Sequence, residues 1–486
     1  MPETAPLHRQ PIEPWRPAHV PKLHDDAYLD RLIDAALQIL ARTGVKVLSD
    51  KAAAVFREHD AEYDAERRVV RLSEELVRTA LASAPRSFIL GSRDGSCDLD
   101  LGSGATYMTA DGCGTEVIDW RTGGRRSSTK ADLADATRML DYVSSIAYWW
   151  PIVGAGDCGE TAQLHELDAA WNNTVKHVQP MIQGEFQARL AVEMATVIAG
   201  SAEELRRRPP ISDLTFTVSP LVIDRDGGDA ALVFAAAGVP MVLGAGVARG
   251  TTGPATAAGA TAQALGEVFA LVTLIQLASP GAPVIAYPVV VDADPRTGQL
   301  FGSHDHRDPA LGVALAHHVG LPSQHATGGT TGELPGTWTA ASEAGPSLTM
   351  SAWSGSELAV GLGLTNSDML WTPEALILDD DLYHQARYAV LDTPADDEEL
   401  ALDVIDRVGP GGHYLGHAHT RKHMRAGFVR GLGSEPDAQG GYRDAVEVAR
   451  ERALEILDDY RPDPLDDDKA TELRRILAAA DAELKS

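Results

Sequence analysis

Cysteines and aromatic residues are scarce in this sequence. It has 486 residues, of which three are cysteines (Cys97, Cys113 and Cys158) and 6% are aromatic. Three scattered cysteines are too few for a disulfide framework or a paired-cysteine zinc site, a pattern typical of a reducing cytoplasm. Because aromatic side chains are few, each of the eight tryptophans that falls in a functional segment is informative.

Positive charge is also in short supply. The chain carries 42 Lys and Arg against 70 Asp and Glu, a formal net charge of −28. Such a surface repels phosphate backbones and anionic lipids, so we expect no nucleic-acid partner and no membrane partner. No stretch reaches the roughly 18 uninterrupted apolar residues of a membrane span, and the proline-rich residues 1–21 have no apolar core. We therefore expect a soluble, cytoplasmic protein.

Several motifs of common enzyme chemistry are missing. The sequence has no G-x-S-x-G nucleophile elbow, no Walker phosphate-binding loop and no protein-kinase signature. These absences argue against serine hydrolysis and phosphoryl transfer. The hydrophobic fraction of 44% is nevertheless enough for a large core, and the length exceeds that of one compact domain.

Residues 1–130 are predicted to form a mixed α+β amino-terminal appendage. Apolar residues recur at helical spacing over residues 26–43, and Gly44 follows as a carboxy-terminal cap. A second helix is predicted over residues 73–84, and residues 116–126 are predicted to form a hairpin.

Beyond residue 130 short β-rich apolar runs alternate with longer helical stretches, which is typical of parallel βα units. The predicted strands are 146–153, 178–184, 214–222, 239–243, 283–291, 321–325 and 363–370. The predicted helices between them are 161–174, 189–199, 253–278, 309–319 and 339–360. Seven strands, with one more that the pattern does not resolve, predict an α/β fold, a TIM (β/α)8 barrel over residues 131–392. Residues 393–486 are predicted to form a helical carboxy-terminal extension.

In such a barrel the reactive groups lie in the loops that follow the strands. One loop, residues 302–308, contains His304, Asp305 and His306, which suggests a metal-dependent hydrolase or lyase as an alternative function. Alternate spacing in a loop is poor chelate geometry, so we favour hydrogen-bonded loop residues there. A second group is interpreted as an ordered turn rather than a zinc site: His413, His417, His419 and His423. No metal site is predicted.

Aromatic residues supply a further signal. Trp149 and Trp150 end the first predicted barrel strand, Tyr287 lies within a strand, and Trp338 and Trp353 lie in or after a glycine-rich loop. Aromatic faces hold quaternary ammonium groups by cation–π attraction, although most barrel tryptophans pack in the core. Among these residues we expect Trp338 and Tyr287 to contact a ligand. The residues alone thus predict a barrel enzyme for a small cationic substrate.

Several phrases in collinear order resemble the trimethylamine methyltransferase family and span the chain from about Arg42 to Pro464. They include residues 41–45, 119–123, 173–176, 193–194, 219–221, 280–283, 294–298, 302–303, 320–322 and 408–413, followed by 419–420 and 423. The resemblance implies a barrel that binds a small methylated amine and docks a cognate corrinoid protein, whose Co(I) attacks the methyl carbon. The corrinoid (cobalamin) would then be supplied by that partner and not bound by this chain, and we expect a homo-oligomer.

The resemblance is strongest to the branch without pyrrolysine, which includes glycine betaine:corrinoid methyltransferase, because the chain has only standard residues. It departs from the family in one loop. Where relatives often show Thr-Asp-Ser-Lys followed by Asp and Gln, this chain has Thr330-Thr331-Gly332-Glu333, then Gly336 and Trp338. Glu333 would supply the charge and Trp338 an aromatic face, so the substrate is expected to differ from betaine.

The residue pattern and the resemblance together give a set of predicted site residues, of which the matched phrases imply Gln263, Glu267, Asp294 and Arg296. Glu333 and Asp294 are predicted to be catalytic. The predicted substrate-binding residues are Trp338, Tyr287, Arg296, Gln263, Glu267, His304 and Trp353. Arg296 suits a bidentate contact to a substrate carboxylate or, alternatively, to Asp294. Helix packing is the alternative for Gln263 and Glu267, and a non-catalytic amine-binding homologue is a third interpretation of the whole chain.

Overall fold

The computed structural model describes residues 7–294, 296, 300–301, 307–327, 334–427 and 431–484, and it shows a mixed α/β protein. The amino-terminal part contains the helices Asp26–Arg42, Asp50–Glu58 and Glu74–Ser83, together with the strands Val45–Val47, Glu62–Asp64, Val69–Arg71, Ile89–Leu90 and Leu99–Asp100. The strands Glu116–Ile118 and Arg125–Ser127 pair antiparallel. Both predicted helices and the predicted hairpin of this region are confirmed.

The first helix shows why these segments fold locally as they do. The Asp25 side chain accepts a hydrogen bond from the backbone N–H of Tyr28, which caps the helix start. Leu29, Ile33 and Leu40 form part of its buried stripe. Gly44 follows with φ +75°, and a Cβ there would lie 2.3 Å from a backbone oxygen, so only glycine fits.

Parallel strands form the centre of the described part of the chain. We number eight of them in chain order: β1 Tyr107–Ala110, β2 Tyr148–Trp149, β3 His177–Val178, β4 Asp213–Phe216, β5 Met241–Ala248, β6 Val284–Ala293, β7 Gln324–Ala326 and β8 Leu358–Leu362. A helix follows each of them: α1 Lys130–Tyr142, α2 Ala162–Asn173, α3 Glu185–Ala199, α4 Arg225–Ala237, α5 Ala257–Ala278, α6 Arg307–His318, α7 Trp338–Ser354 and α8 Pro373–Ala389.

Hydrogen bonding arranges these strands in three parallel groups. Strands β4, β5 and β6 form one group, β7, β8 and β1 a second, and β2 and β3 a third. Single parallel bridges link the groups: Met108 with Ile146, Val178 with Ile211, and Ala286 with Ser323. Each strand is therefore linked to the next one along the chain, and β8 is linked to β1.

Buried side chains of the strands alternate between two hydrophobic clusters, as the two-residue period of a strand requires. One cluster contains Tyr107, Tyr148, Leu214, Val242, Ile285, Leu358 and Val360. The other cluster also contains side chains of the helices, and its strand residues include Met241, Leu243, Val284, Ala286 and Ala359. The strands thus bury one face among themselves and the other against helices.

Helix α5 is long and apolar enough to cross a membrane, but 89% of the relevant window is buried inside the protein. It packs against β5 and β6 on one side and against helices Asp26–Arg42 and Glu74–Ser83 on the other. A helix covered on both sides is apolar around its whole circumference, so its composition reflects a core position.

Two sequence predictions differ from the structure. Strand β1 lies inside the predicted appendage (residues 1–130) yet pairs with β8. The helix predicted over residues 339–360 ends at Ser354, where Gly355 adopts φ +72° and stops it. The strand of the core that follows α7 is therefore Leu358–Leu362 rather than residues 363–370.

Smaller elements complete the chain. Leu300–Phe301 pairs antiparallel with the end of β6, and Leu364–Thr365 forms a hairpin with Leu370–Trp371. Val222–Ile223 pairs with Val45–Val47, and Ala202–Arg207 is a short helix. The carboxy-terminal helices are Asp397–Leu400, Leu402–Val408, Ala418–Gly427, Ala445–Asp459 and Asp467–Leu484, which corresponds to the predicted helical extension. Of these, Ala445–Asp459 packs on α8 and α1, and Asp467–Leu484 packs on α2 and α3.

Candidate active site

Two carboxyl groups meet at the carboxyl ends of neighbouring strands. Asp111 directly follows β1, and Asp368 lies in the hairpin that follows β8; because β1 and β8 pair in parallel, both reach the same edge. Burial and the nearby charge of Asp368 hold the pKa of Asp111 well above its ordinary value. Burial also raises the pKa of Asp368, which is hydrogen-bonded to Asp111. Both carboxyls are therefore held more readily in the protonated form than an ordinary aspartate, and each favours a proton or a cation beside it.

The backbone that presents Asp368 is unusual. Asn366, Ser367 and Asp368 have φ values of +55°, +53° and +63°, a run of left-handed residues without a glycine. The backbone oxygen of Met369 accepts hydrogen bonds from Thr115 and Glu116, which holds the turn in place. Such conformations cluster at functional sites. Among the described residues, the buried Asp368 Oδ1 has no hydrogen-bond partner and is free to face a ligand.

Aromatic residues lie on or just after strands β2, β4 and β6. Burial and then the charges of Asp111 and Asp368 raise the pKa of the hydroxyl of Tyr287, which lies at the middle of β6. Phe216, at the end of β4, meets the Tyr287 ring edge-on at 5.4 Å between centroids. Trp150 follows β2 and packs so closely on Gly112 that a Cβ there would lie 2.6 Å from the indole Cδ2. Glycine at 112 is therefore needed for the indole to reach this position.

The arrangement suits a small organic cation. Negative charge on the carboxyl pair offsets the charge of such a ligand, and aromatic faces attract methyl groups bound to a positive nitrogen. We call Asp111, Trp150, Phe216, Tyr287 and Asp368 the cation site. Sequence reasoning predicted only Tyr287 of this set as a ligand contact. Because β1 was not recognised, the Asp-Gly pair that ends it was overlooked.

The other predicted aromatic residues lie elsewhere. Trp338 begins α7 and is 87% exposed, so it faces solvent. Trp353 is near the other end of the same helix, about 22 Å along its axis, and its indole nitrogen donates to the backbone oxygen of Ala389. The two tryptophans therefore do not share a pocket. Glu333 and His304 lie outside the described residues.

Asp294 and Arg296 contact each other. Arg296 donates to both carboxylate oxygens of Asp294, at 3.1 and 2.8 Å, and its side chain is 85% exposed. The arrangement corresponds to the second alternative raised by the sequence, in which Arg296 binds Asp294. Their predicted roles in catalysis and binding stay predictions.

Gln263 and Glu267 form a buried network on α5. The Glu267 carboxylate accepts hydrogen bonds from the hydroxyls of Thr217 and Ser219, at 2.5 and 2.7 Å, and from the backbone N–H of Leu221. Gln263 donates to Glu267 at 2.9 Å. Both carboxylate oxygens are thus used to hold the loop that follows β4.

Histidines of the described carboxy-terminal region stack rather than chelate. The rings of His419 and His423 lie 4.2 Å apart between centroids. Among the described residues, no group of three or more His, Cys, Asp or Glu side chains is arranged to hold a metal ion. The alternative site around His304 falls outside the described residues.

The geometry thus brings two carboxyls and nearby aromatic residues together in a parallel α/β core. A sequence model of the trimethylamine methyltransferase (MTTB) family matches residues 5–485. The chain therefore belongs to this family of methyltransferases, which confirms the predicted family and enzyme class.

Curated relatives extend over nearly the full length. Trimethylamine methyltransferase MttB of Desulfitobacterium hafniense (strain DSM 10664 / DCB-2) is 30% identical over 466 residues, covering 94% of each chain. Glycine betaine methyltransferase of Desulfitobacterium hafniense (strain Y51) is 26% identical and covers 93% of this chain and 95% of its own. A crystal structure of the Methanosarcina barkeri monomethylamine methyltransferase aligns with a TM-score of 0.47 and 12% identity, covering 90% of this chain and 88% of that chain.

Proposed function

We propose that this enzyme moves a methyl group from a small quaternary or tertiary methylated amine to the corrinoid of a separate protein. The single observation that carries the proposal is the cation site, where two hydrogen-bonded carboxyls with raised pKa values occur together with nearby aromatic residues. Family membership supports the reaction class. The names of the relatives support a methylated amine as substrate.

We further infer that β1–β8 close into a (β/α)8 barrel whose mouth is the cation site. Two observations support closure: the parallel links run in chain order and return from β8 to β1, and alternate side chains form a cluster enclosed by the strands. Active sites of such barrels lie at the carboxyl ends of the strands, where Asp111 and Trp150 are found.

The residues of this chain bind and orient the amine. The Asp111–Asp368 pair attracts the positive nitrogen, and the rings of Trp150, Phe216 and Tyr287 contact its methyl groups and exclude water. When the carbon–nitrogen bond breaks, its electron pair stays on nitrogen and the cation becomes a neutral amine. Reduced cobalt would supply the nucleophile for the methyl carbon. We assign the corrinoid to the partner protein, and we assign no residue of this chain to binding it.

Arginines near the site favour an amine without a carboxylate over glycine betaine. Arg249 binds Asp292 through two hydrogen bonds of 2.6 and 2.8 Å, and Arg296 binds Asp294 in the same way. Each guanidinium at the ends of β5 and β6 thus already has a carboxylate partner. A betaine carboxylate would have to displace one of them.

The test is methyl transfer to a reduced corrinoid protein, measured with a panel of methylated amines. We expect turnover with at least one amine, a large loss in Trp150→Ala, and near-normal turnover in Trp338→Ala, since Trp338 faces solvent. Absence of turnover across the panel with an active corrinoid acceptor would contradict the proposal.

We also propose that the enzyme is cytoplasmic and forms a homo-oligomer. In this proposal the cognate corrinoid protein docks at the carboxyl ends of the strands.

A further inference from the structure

A second cavity lies beside the cation site. It has a volume of about 560 Å³, and we call it the Glu166 chamber. Its walls come from the loops after β1, β2 and β3 and from α2, and they include Cys113, Ser128, Gly154, Gln163, Glu166 and Gln183.

Glu166 is the acidic group of this chamber. One of its oxygens accepts a hydrogen bond from the backbone N–H of Ala155 at 3.1 Å, the hydrogen bond seen for this carboxyl among the described residues. The nearby basic side chain of Lys130 contacts His165 and Asp168 on α2. Because the described residues give Glu166 no further hydrogen bond, its second carboxyl oxygen is available to a ligand inside the cavity.

Cys113 forms the wall between the chamber and the cation site. It lies two residues after Asp111, and its backbone N–H donates to Pro151, the residue next to Trp150. Cys113 and Glu166 both line the chamber. The chamber is therefore lined by Cys113 and Pro151, which lie within two residues of Asp111 and Trp150 in the chain.

The two pockets offer different chemistry. The cation site presents aromatic faces, which suit a nitrogen whose substituents are all methyl or methylene groups. None of the described residues that line the chamber is aromatic, and its carboxyl oxygen is a hydrogen-bond acceptor. An acceptor without aromatic faces favours an ammonium ion that has N–H groups over a quaternary one.

We propose that the Glu166 chamber binds the demethylated amine product as an N–H-bearing ammonium ion, so that substrate and product occupy adjacent pockets. This inference rests on the proposed function for its assignment as a product site. Occupation of the chamber by an N–H ammonium ion does not depend on methyl transfer and can be measured alone.

The neutral amine must gain a proton to become an ammonium ion, and Glu166 is placed to supply that proton. Burial raises the pKa of Glu166 to about 7, so near neutral pH part of the population carries the proton. The O–H bond of Glu166 breaks with its electrons left on oxygen, and the nitrogen lone pair forms the new N–H bond. Among the described residues that line the chamber, the titratable side chains are Glu166 and Cys113.

Cys113 provides a reporter inside the chamber, because its side chain is exposed to solvent there. We would measure modification of Cys113 by a cationic and an anionic methanethiosulfonate reagent, using mass spectrometry of the peptide that contains it. Excess dimethylammonium chloride should slow modification several-fold in the unaltered protein, whereas tetramethylammonium chloride at equal ionic strength should not. Equal protection by the two salts, or protection by neither, would overturn the proposal.

A charge variant gives a second measurement. Glu166→Gln should lower the ratio of cationic to anionic modification rates by about tenfold and remove protection by dimethylammonium. Glu160→Gln is the matched control, because Glu160 is exposed one turn before α2 and does not line the chamber. An unchanged ratio in Glu166→Gln, or an equal loss in Glu160→Gln, would count against the proposal. Absence of methyl transfer with every amine of the panel would contradict the proposed function, but it would not affect this binding result.

Discussion

Two buried carboxyls repel each other unless they share a proton or face a cation. The raised pKa values of Asp111 and Asp368 favour a shared proton in the free protein. Among the described residues the Oδ1 of Asp368 has no hydrogen-bond partner, which allows it to face a cation when an amine binds. A bound cation stabilises the ionised form of both groups. Binding of a quaternary amine should therefore release protons to solvent, in an amount that depends on pH.

Asp368→Asn should weaken binding of a quaternary amine about tenfold to a hundredfold, because it removes the charge of the pair. Titration calorimetry with tetramethylammonium or a turnover substrate measures the change. Asp294→Asn is the control, since the carboxylate of Asp294 is already bound by Arg296. A greater loss in Asp294→Asn than in Asp368→Asn would instead support the role that the sequence suggested for Asp294.

Asp213 provides a pH test of stability away from the cation site. Its carboxyl accepts hydrogen bonds from the backbone N–H of Ile182 and the hydroxyl of Thr215, both at 2.9 Å. Burial nevertheless raises its pKa from 3.8 to about 7. The folded state then binds the proton more tightly than the unfolded state, so this contribution to stability is present below pH about 4 and is lost as the pH rises to about 7.

Asp213→Asn should therefore be more stable relative to the unaltered protein at pH 8 than at pH 4, by an amount on the order of 3 kcal/mol. Asparagine keeps the acceptor for Ile182 and cannot ionise. Denaturant unfolding of both proteins across this pH range measures the difference. A constant difference in unfolding free energy at all pH values would show that Asp213 does not titrate as inferred.

At the scale of the elements, local pattern and long-range pairing differ in how well the sequence reveals them. The helix Asp26–Arg42 and the hairpin after Glu116 follow from residues close in sequence, and both were predicted. Strand β1 has four residues, and its partner β8 lies about half the chain away. Nothing within Tyr107–Ala110 reveals that partner, so the juxtaposition of Asp111 and Asp368 could not be predicted either.

Tyr287 is a site residue that the local sequence did reveal. It lies in an apolar run long enough to be recognised as a strand, and its aromatic side chain was sufficient to suggest a ligand contact. Trp338 was selected by residue type, but the pattern did not show which way the first residue of α7 points. Burial of an individual side chain depends on packing that the sequence leaves open.

Glu267 ties helix α5 to the loop after β4, and this role predicts a structural effect. Glu267→Gln replaces one acceptor oxygen by a donor group that faces hydroxyl and N–H groups. We expect a loss of about 1–3 kcal/mol in unfolding free energy with little change in kcat. A large fall in kcat without a change in the unfolding midpoint would assign Glu267 to catalysis instead.

At the scale of the whole molecule, the alternation of strands and helices indicated the α/β class, while closure depends on single bridges between strand groups. The carboxy-terminal extension is joined to this core by specific contacts. The Tyr460 hydroxyl donates to Asp141 at 2.5 Å, and Tyr142 meets the Tyr460 ring edge-on at 5.1 Å. The extension therefore packs as part of the folded unit.

The net charge of −28 is a property of the whole molecule and gives a last prediction. Like charges repel one another in the compact state, and salt screens that repulsion over about 10 Å at 0.1 M. Raising sodium chloride from about 10 mM to about 150 mM should therefore increase the thermal midpoint by a few degrees. Sodium sulfate at equal ionic strength separates screening from a general salting-out effect. A midpoint that falls with added sodium chloride would mean that ion pairs, such as Arg126 with Asp119 and Asp132, outweigh the repulsion.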